Sequence, residues 1–309
     1  LQNVLKRVDL AFQGFFSRVK KGVKAGFPRF RSLNRYDSFT FPQSGFLLTG
    51  NKLTLSKIGS VKIKLSRAII GKVKTCQIKR ECGRWFVIFT VETSIEPLPK
   101  TGESVGLDVG VSAFATLSDG AIIENPRFAE SLQKSLRIAQ RSVSRKKKGG
   151  NNRRKAVLKL RKIHQKIKNC RADFQHKAAR YLVNNYDVIC IEKLKVSNML
   201  KNHCLARVIA DVSWSSFFHI LENKAVEAGR ELIKVTPNFT SQTCSSCGHC
   251  EKANRKTQAD FVCLKCSHNE NADENAAINI LRLGKSVLGS KWNDSSCLPK
   301  ESLTITVSV

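Results

Sequence analysis

The sequence predicts an α/β fold, preceded by a small N-terminal β-barrel and interrupted near its end by a clip of cysteines. Three observations carry this. Residues 36–92 break into short alternating segments, with turn residues at intervals of about ten positions. From Ser104 onward, apolar strand-like runs alternate with long stripes of helical periodicity. Two Cys-x2-Cys pairs, Cys244 with Cys247 and Cys263 with Cys266, then stand 15 residues apart.

Taken in order, "LQNVLKRVDLAFQGFF" sets Leu1, Val4, Leu5, Val8, Phe12 and Phe15 on one face of an amphipathic helix. The chain starts at Leu1 with that helix already under way, so an upstream segment is expected to be absent from it. "KKGVKAGFPRFRS" is broken by Gly and Pro and reads as a loop. "DSFTF", "KLTLSKIG", "SVKIKLS", "VKTCQIKRE" and "RWFVIFTVE" then form a small antiparallel barrel or sheet. Lysines alternate with apolar residues from Val61 to Leu65, which gives a core face and a basic face suited to tracking nucleic acid. "EPLPKTG" (96–102) is a linker.

Beyond it, "SVGLDVGVSAFATLSDGAII" reads as a strand over 104–109, a turn at Gly110 and a second strand over 113–117. An Asp119-Gly120 hairpin turn and a short third strand complete the meander. Leu132, Leu136, Ala139 and Val143 mark one helix; Leu160, Ile163, Ile167, Cys170, Phe174, Ala178 and Tyr181 mark a second. Gly149 to Asn152 would turn between them. A buried-type strand, Val188 to Ile191, ends at Glu192. A helix in "WSSFFHILENKAVEAG" stops at Gly229, "ELIKVTP" is a strand, and "DENAAINILRLG" is a last helix with a loose tail after Gly284.

Charge points to the partner. The 54 Lys and Arg outnumber the 24 Asp and Glu, for a formal charge of +30. That much self-repulsion calls for a polyanion, and nucleic acid is the one expected. Between Glu130 and Asp173 there is no acid at all. Arg141, Arg145, Lys146, Lys147, Lys148, Arg153 and Arg154 are therefore candidate phosphate contacts. No apolar run approaches the roughly 18 residues of a membrane span, and no signal-peptide core is present. Eleven cysteines, five of them between Cys244 and Cys266, do not make a secreted disulfide scaffold. A reducing cytoplasmic compartment is expected, with Cys76, Cys82, Cys170, Cys190, Cys204 and Cys297 as ordinary residues.

The paired cysteines have the spacing of a four-thiolate zinc site, in which two tight knuckles each offer two sulfurs. Cys250 and His268 lie close enough to substitute for a ligand. A site filled by protein ligands has no open position for water, so this Zn2+ would be structural.

Three acids form a second constellation: Asp108 inside an apolar strand, Glu192 at a strand end and Asp273 at the mouth of a helix. An acid within a strand carries a desolvation cost that only a partner offsets. A strand-borne Asp, a three-stranded meander, a helix and a strand ending in an acid follow the order of ribonuclease H-like nucleases. There carboxylates converge on two Mg2+ ions, for which hard oxygen ligands are suited. Asp273 also has the position of a helix N-cap. Asp119 reads as a turn residue and Asp211 as a cap.

"GLDVGVSAFATLSDG", "ENPRF", "RKKKGGNNRRKA", "DFQHKAARYLVNNYDVICIEKLKVSNM", "VSWSSFFHILENKA" and "TSQTCSSCGH…CLKC…ADENAAINIL" together resemble the TnpB (OrfB) family of bacterial insertion sequences, relatives of type V CRISPR effectors. The resemblance implies a RuvC-like nuclease domain over 103–240, with a basic helical hairpin at 131–183. It implies a zinc ribbon over 241–269 and a final nuclease helix over 270–285, then a loose tail over 286–309. Residues 1–35 would be the remnant of a helical recognition region and 36–96 a wedge-like barrel. It further implies Asp108, Glu192 and Asp273 as catalytic acids, a guide RNA from the transposon end, and double-stranded DNA as target. Two departures stand out: the first wedge strand of family members is expected to be missing from this sequence, and Ala272 stands where they carry Arg before the last acid. The alternatives are a truncated binding protein that no longer cuts, and an unguided structure-selective nuclease.

Overall fold

A computed structural model describes residues 2–30, 36–292 and 304–308. Backbone contacts divide it into one unit of Leu1–Ser94 with Pro299–Val309, and a second of Ile95–Leu298.

The first unit opens with α1 (Gln2–Lys20), where the anticipated helix forms. Its apolar face is only partly covered. Phe12 and Phe15 meet Phe27 edge-on at 5.5 and 5.4 Å, while Leu5 is 66% exposed. The strands are β1 (Ser38–Phe41), β2 (Phe46–Thr49), β3 (Lys52–Leu55), β4 (Gly59–Lys62), β5 (Lys72–Glu81) and β6 (Arg84–Glu92). They make two antiparallel sheets: β1, β5 and β6 joined by the strand Thr304–Ser308, and β2-β3-β4. Leu53, Leu55, Cys76, Ile78, Phe89 and Val91 form one core between them. Among the described residues no backbone pairing closes these strands into the expected barrel. The alternation around Val61 leaves strand geometry after Lys62, and β4 pairs with β3 alone. The tail expected to be loose contributes the Thr304–Ser308 strand; Cys297 lies outside the described residues.

The second unit is built on β7 (Ser104–Asp108), β8 (Ala113–Leu117), β9 (Ile122–Glu124), α2 (Phe128–Ser131), α3 (Gln133–Ser144) and α4 (Asn151–Asn185). There follow β10 (Val188–Glu192), α5 (Val196–Met199), α6 (Ala206–Val212), α7 (Trp214–Ala228) and β11 (Glu231–Val235). The sheet runs β11-β10-β7-β8-β9. β10 is parallel to both β7 and β11, whereas β7, β8 and β9 form an antiparallel meander. Gly120 turns the β8–β9 hairpin and Gly229 stops α7; both hold positive φ (83° and 67°), which glycine adopts without a Cβ clash.

Side chains alternate across a strand, so each face has its own partner. Val105, Leu107, Ile189 and Ile191 point to one side and join Ala179, Leu182 and Val183 of α4 and Phe217 and Leu221 of α7 in the main core. The apolar stripe of α4 drifts around its 35 residues, so Leu182 and Val183 take the core position expected for Tyr181, which is 46% exposed. The hairpin turn is 145–150; Asn151 and Asn152 already belong to the first turn of α4.

The expected linker is fastened down. The buried Arg230 guanidinium pairs with Asp187 at 2.5 Å and also donates to the carbonyls of Val183 and Pro99. Asp187 in turn accepts from the N–H groups of Thr101 and Gly102, and Thr101 is the main reason its carboxyl is held below its ordinary value. The start of β7 and the start of β10 are thereby locked side by side.

After β11 come a 3-10 turn (Lys252–Asn254), β12 (Asp260–Val262), β13 (Asn269–Asn271) and α8 (Ala272–Trp292). The last helix thus runs past Gly284. Lacking a side chain there, it lies directly on Cys190 of β10; a Cβ would collide with the sulfur. Among the described residues no helix is long and apolar enough to cross a membrane.

Candidate active site and metal centre

Asp108 and Glu192 end neighbouring parallel strands. The register pairs Leu107 with Ile191, so the next residue on each strand is the acid. Strands lie about 4.8 Å apart, and equivalent residues of a parallel pair share a face. Both carboxylates therefore leave the carboxyl edge of the sheet on the side away from the main core. From β7 the chain continues to β8 on one side and from β10 to β11 on the other, so the strand order reverses between them, the place where α/β sheets open a crevice.

Helix α8 covers that face. It approaches β7 at Gly106, two residues before Asp108, where a Cβ would collide with the carbonyl of Ala277 and the N–H of Leu281. Gly106 and Gly284 are thus the two seats that let the helix down onto the acid-bearing strands. The cap of α8 is Asn271, whose Oδ1 accepts from the N–H groups of Asp273 and Glu274. Asp273, anticipated as a cap, is the second residue of the helix instead, and its carboxylate is free to face the sheet.

Asp108, Glu192 and Asp273 line one pocket of about 340 Å³, with Ser112, Trp214, Thr240 and Arg255 in its walls. Burial first, then the charges of Glu192 and Asp273, push the Asp108 carboxyl up to about 8; Arg255 and the Val109 N–H oppose this. Burial also raises Glu192, against a hydrogen bond from the Thr240 hydroxyl to its Oε1. Arg255 reaches Asp273 at 3.2 Å. The pocket is a negative cluster held together at the expense of its own ionisation, and hard carboxylate oxygens of this kind suit a divalent cation such as Mg2+. Sequence reasoning missed Arg255 and Thr240. Arg255 is one cation in a basic loop and Thr240 one hydroxyl in a polar run, and neither carries a periodic or spacing signature.

The cysteines converge as well. Cys244, Cys247, Cys263 and Cys266 bring their sulfurs within 4.8 Å of one another. Sγ–Sγ distances of 3.7 Å (Cys244–Cys266) and 3.5 Å (Cys247–Cys263) approach the edge of about 3.8 Å that a tetrahedron of Zn–S bonds of about 2.3 Å requires. The four thiolates fit a zinc ion. Each knuckle repeats one pattern: Cys244 N–H donates to His249 O and Gly248 N–H to Cys244 O, while Cys263 N–H donates to His268 O and Ser267 N–H to Cys263 O. Gly248 and Ser267 occupy the matching positive-φ position. His268, a possible substitute ligand, hydrogen-bonds Ser245 and Glu270, and Cys250 lies outside the four-sulfur group.

The basic hairpin stands apart from the pocket. Arg141, Arg145, Lys147, Lys148 and Arg154 are exposed. Lys146 reaches Ser142, and Arg153 clasps the hairpin by donating to the carbonyls of Val143 and Lys146. Asp119 accepts from the Ala121 N–H as a turn residue. Asp211 caps α2, on a distant stretch of chain, and pairs with Arg171.

A family model described as "Probable transposase" (OrfB of IS605 type) matches residues 86–203. One described as "Cas12f1-like, TNB domain" matches residues 214–280. Over 305 residues the chain is 36% identical to an Escherichia coli K12 protein named "Putative RNA-guided DNA endonuclease InsQ", covering 93% of this chain and 75% of that one. The chain belongs to the TnpB (OrfB) family. A second member, from Streptomyces pristinaespiralis and named "Putative RNA-guided DNA endonuclease", is 36% identical over 290 residues, 92% of this chain and 71% of that protein. A Cas12f1 endodeoxyribonuclease of Sulfoacidibacillus thermotolerans is 26% identical over 211 residues, 64% of this chain and 50% of its own. Among solved structures, a Cas12f1–sgRNA–target DNA complex shares the mixed α/β fold at a TM-score of 0.51 and 21% identity, over 67% of this chain and 45% of that one. The first match ends before α6 and the second begins with α7. Asp108 and Glu192 thus fall in the OrfB match, and Asp273, Arg255 and the cysteines of this TnpB-family chain fall in the TNB match.

Proposed function

We propose that this chain is an RNA-guided DNA endonuclease, with Asp108, Glu192 and Asp273 as the carboxylates that hold two Mg2+ ions over the scissile phosphodiester. The observation that carries the reading is the meeting of these acids, from two strands and a helix, in one pocket. Divalent ions held there would supply an activated water and stabilise the leaving oxygen. The chain's own contribution is positional. β7 and β10 set two carboxylates level, Gly106 brings α8 close enough to add the third, and Arg255 offers a cation beside Asp273 for the substrate phosphate.

The strand order supports reading the second unit as a ribonuclease H-like, RuvC-type domain. The zinc ribbon would fix the loop that carries Arg255. Residues 36–96 would grip the guide RNA as a wedge-like element, and the exposed cations of the α3–α4 hairpin would run along the backbone of a guide–target duplex whose sequence is read by base pairing. The guide is expected to come from the transposon end, as the family's insertion-sequence origin suggests, and the work to take place in the bacterial cytoplasm.

The test is cleavage of double-stranded DNA in Mg2+ by the chain coexpressed with its transposon-end RNA, beside Asp108→Ala. Cutting by the parent and not by the variant supports the proposal. If neither cuts while both retain RNA, the chain is a binding protein. Cutting by the parent without RNA would point to an unguided nuclease.

A further inference from the structure

Thr240 lies between β11 and the first zinc knuckle and is 4% exposed. Its hydroxyl donates to Glu192 Oε1 at 2.5 Å, across 48 residues of chain. A glutamate carries three rotatable bonds, and a carboxylate at a strand end has nothing in its own backbone to choose among their settings. Here one oxygen is taken by a donor that is itself immobile. The Thr240 carbonyl accepts from Asn279 Nδ2 at 3.0 Å. Asn279 and Asn275 both donate to the Thr243 carbonyl, and Asn275 Oδ1 accepts from the Ser245 N–H at 2.8 Å. Both asparagines are buried, Asn275 at 0% and Asn279 at 3% exposure, and both belong to α8, the helix of Asp273. The strip 240–245 is therefore stitched to that helix, and it contains the zinc-site thiol of Cys244.

We infer that Thr240 is a positioning residue that occupies one oxygen of Glu192 and leaves Oε2 as the oxygen for a divalent cation shared with Asp108 and Asp273. It ties Glu192 to the helix carrying Asp273 and to the zinc knuckle in one hydrogen-bonded strip. This rests on the proposed reading of the three acids as cation ligands. A merely structural Thr would satisfy its own hydroxyl and leave cation affinity alone. A donor that orients a ligating carboxylate changes that affinity, by about 10- to 100-fold when it is removed.

The experiment uses the full chain without nucleic acid, loaded with zinc. Mg2+ and Mn2+ are titrated while the melting temperature is followed, and zinc content is measured in parallel. Thr240→Val keeps the volume and loses the donor; Thr240→Ala loses the donor and leaves room to relax; Thr240→Ser keeps it. Val and Ala are expected to raise the half-saturating Mg2+ concentration at least tenfold at unchanged zinc content, and Ser to restore it to within about twofold. A parent response shared unchanged by Val and Ala overturns the assignment of Thr240 alone. A parent that shows no response to either ion overturns the acid site and Thr240 with it. Loss of zinc in Val and Ala alike would make Thr240 part of the ribbon's folding and also overturn the assignment.

Discussion

Replacing Asp108 by Asn is expected to stabilise the protein in the absence of magnesium. The carboxyl is pushed up to about 8 from an ordinary 3.8, by burial first and then by Glu192 and Asp273. A raised carboxyl keeps its proton in the folded chain, while the unfolded chain releases it. The folded state is therefore penalised from pH 3.8 upward, increasingly until about pH 8, and without further growth above that. At pH 7 roughly three pH units of difference, at about 1.4 kcal/mol each, set a ceiling of about 4 kcal/mol. Asp108 is partly open to water through its pocket, which reduces the effect to roughly 2 kcal/mol. For a unit of this size that corresponds to a rise of roughly 4–8 °C in melting temperature. The assay is calorimetry of zinc-loaded parent and Asp108→Asn in magnesium-free buffer at pH 4.5, 6 and 7.5. The gain should shrink on acidification, and Mg2+ should stabilise the parent more than the variant. A variant no more stable than the parent at pH 7.5, or a gain that stays constant down to pH 4.5, would refute the reasoning.

Gly106→Ala is expected to lift α8 off β7 at a cost of about 1–3 kcal/mol, with DNA cleavage falling far more than the stability loss explains; melting and cleavage measured together check this. Arg230→Ala removes the donors to Asp187 and to the Val183 and Pro99 carbonyls and should cost about 1–3 kcal/mol in denaturant unfolding, while zinc stoichiometry stays intact. Cys263→Ser should lose the zinc ion and, with the loop carrying Arg255 no longer fixed, cleavage as well; a zinc assay beside a cleavage assay checks both, and full cleavage without zinc would dismiss the link.

Much of the second unit was legible because it is written locally. Strands with period 2, helices with period 3.6, the Asp119-Gly120 turn and the Gly229 stop are properties of neighbouring residues, and these elements occur in the expected order, with the end of α8 and the α3–α4 turn displaced. The cysteine spacing likewise reports a knuckle that closes within five residues. The first unit was harder. A run of short strands does not say which edges pair; among the described residues the antiparallel strands share one core but no pairing closes them into a barrel.

The acids illustrate the division most clearly. That Glu192 ends a strand and Asp108 lies on one follows from the sequence; that β7 stops at Asp108 itself, one residue short of the expected end, is seen only in the structure. That they stand level depends on the register of β7 against β10, and that Asp273 joins them depends on two glycines letting α8 approach the sheet. Reading Gly284 as a helix end was reasonable locally. Only the contact with Cys190 shows that the glycine serves close approach and the helix continues. Asn271 in place of Asp273 as cap and the partners Thr240 and Arg255 are likewise decided in three dimensions. Composition, periodicity and spacing therefore pointed to which acids and thiols to watch and on which elements they stand. The tertiary structure decided which groups meet, because contact between residues far apart in the chain is a property of packing and register, which no local pattern encodes.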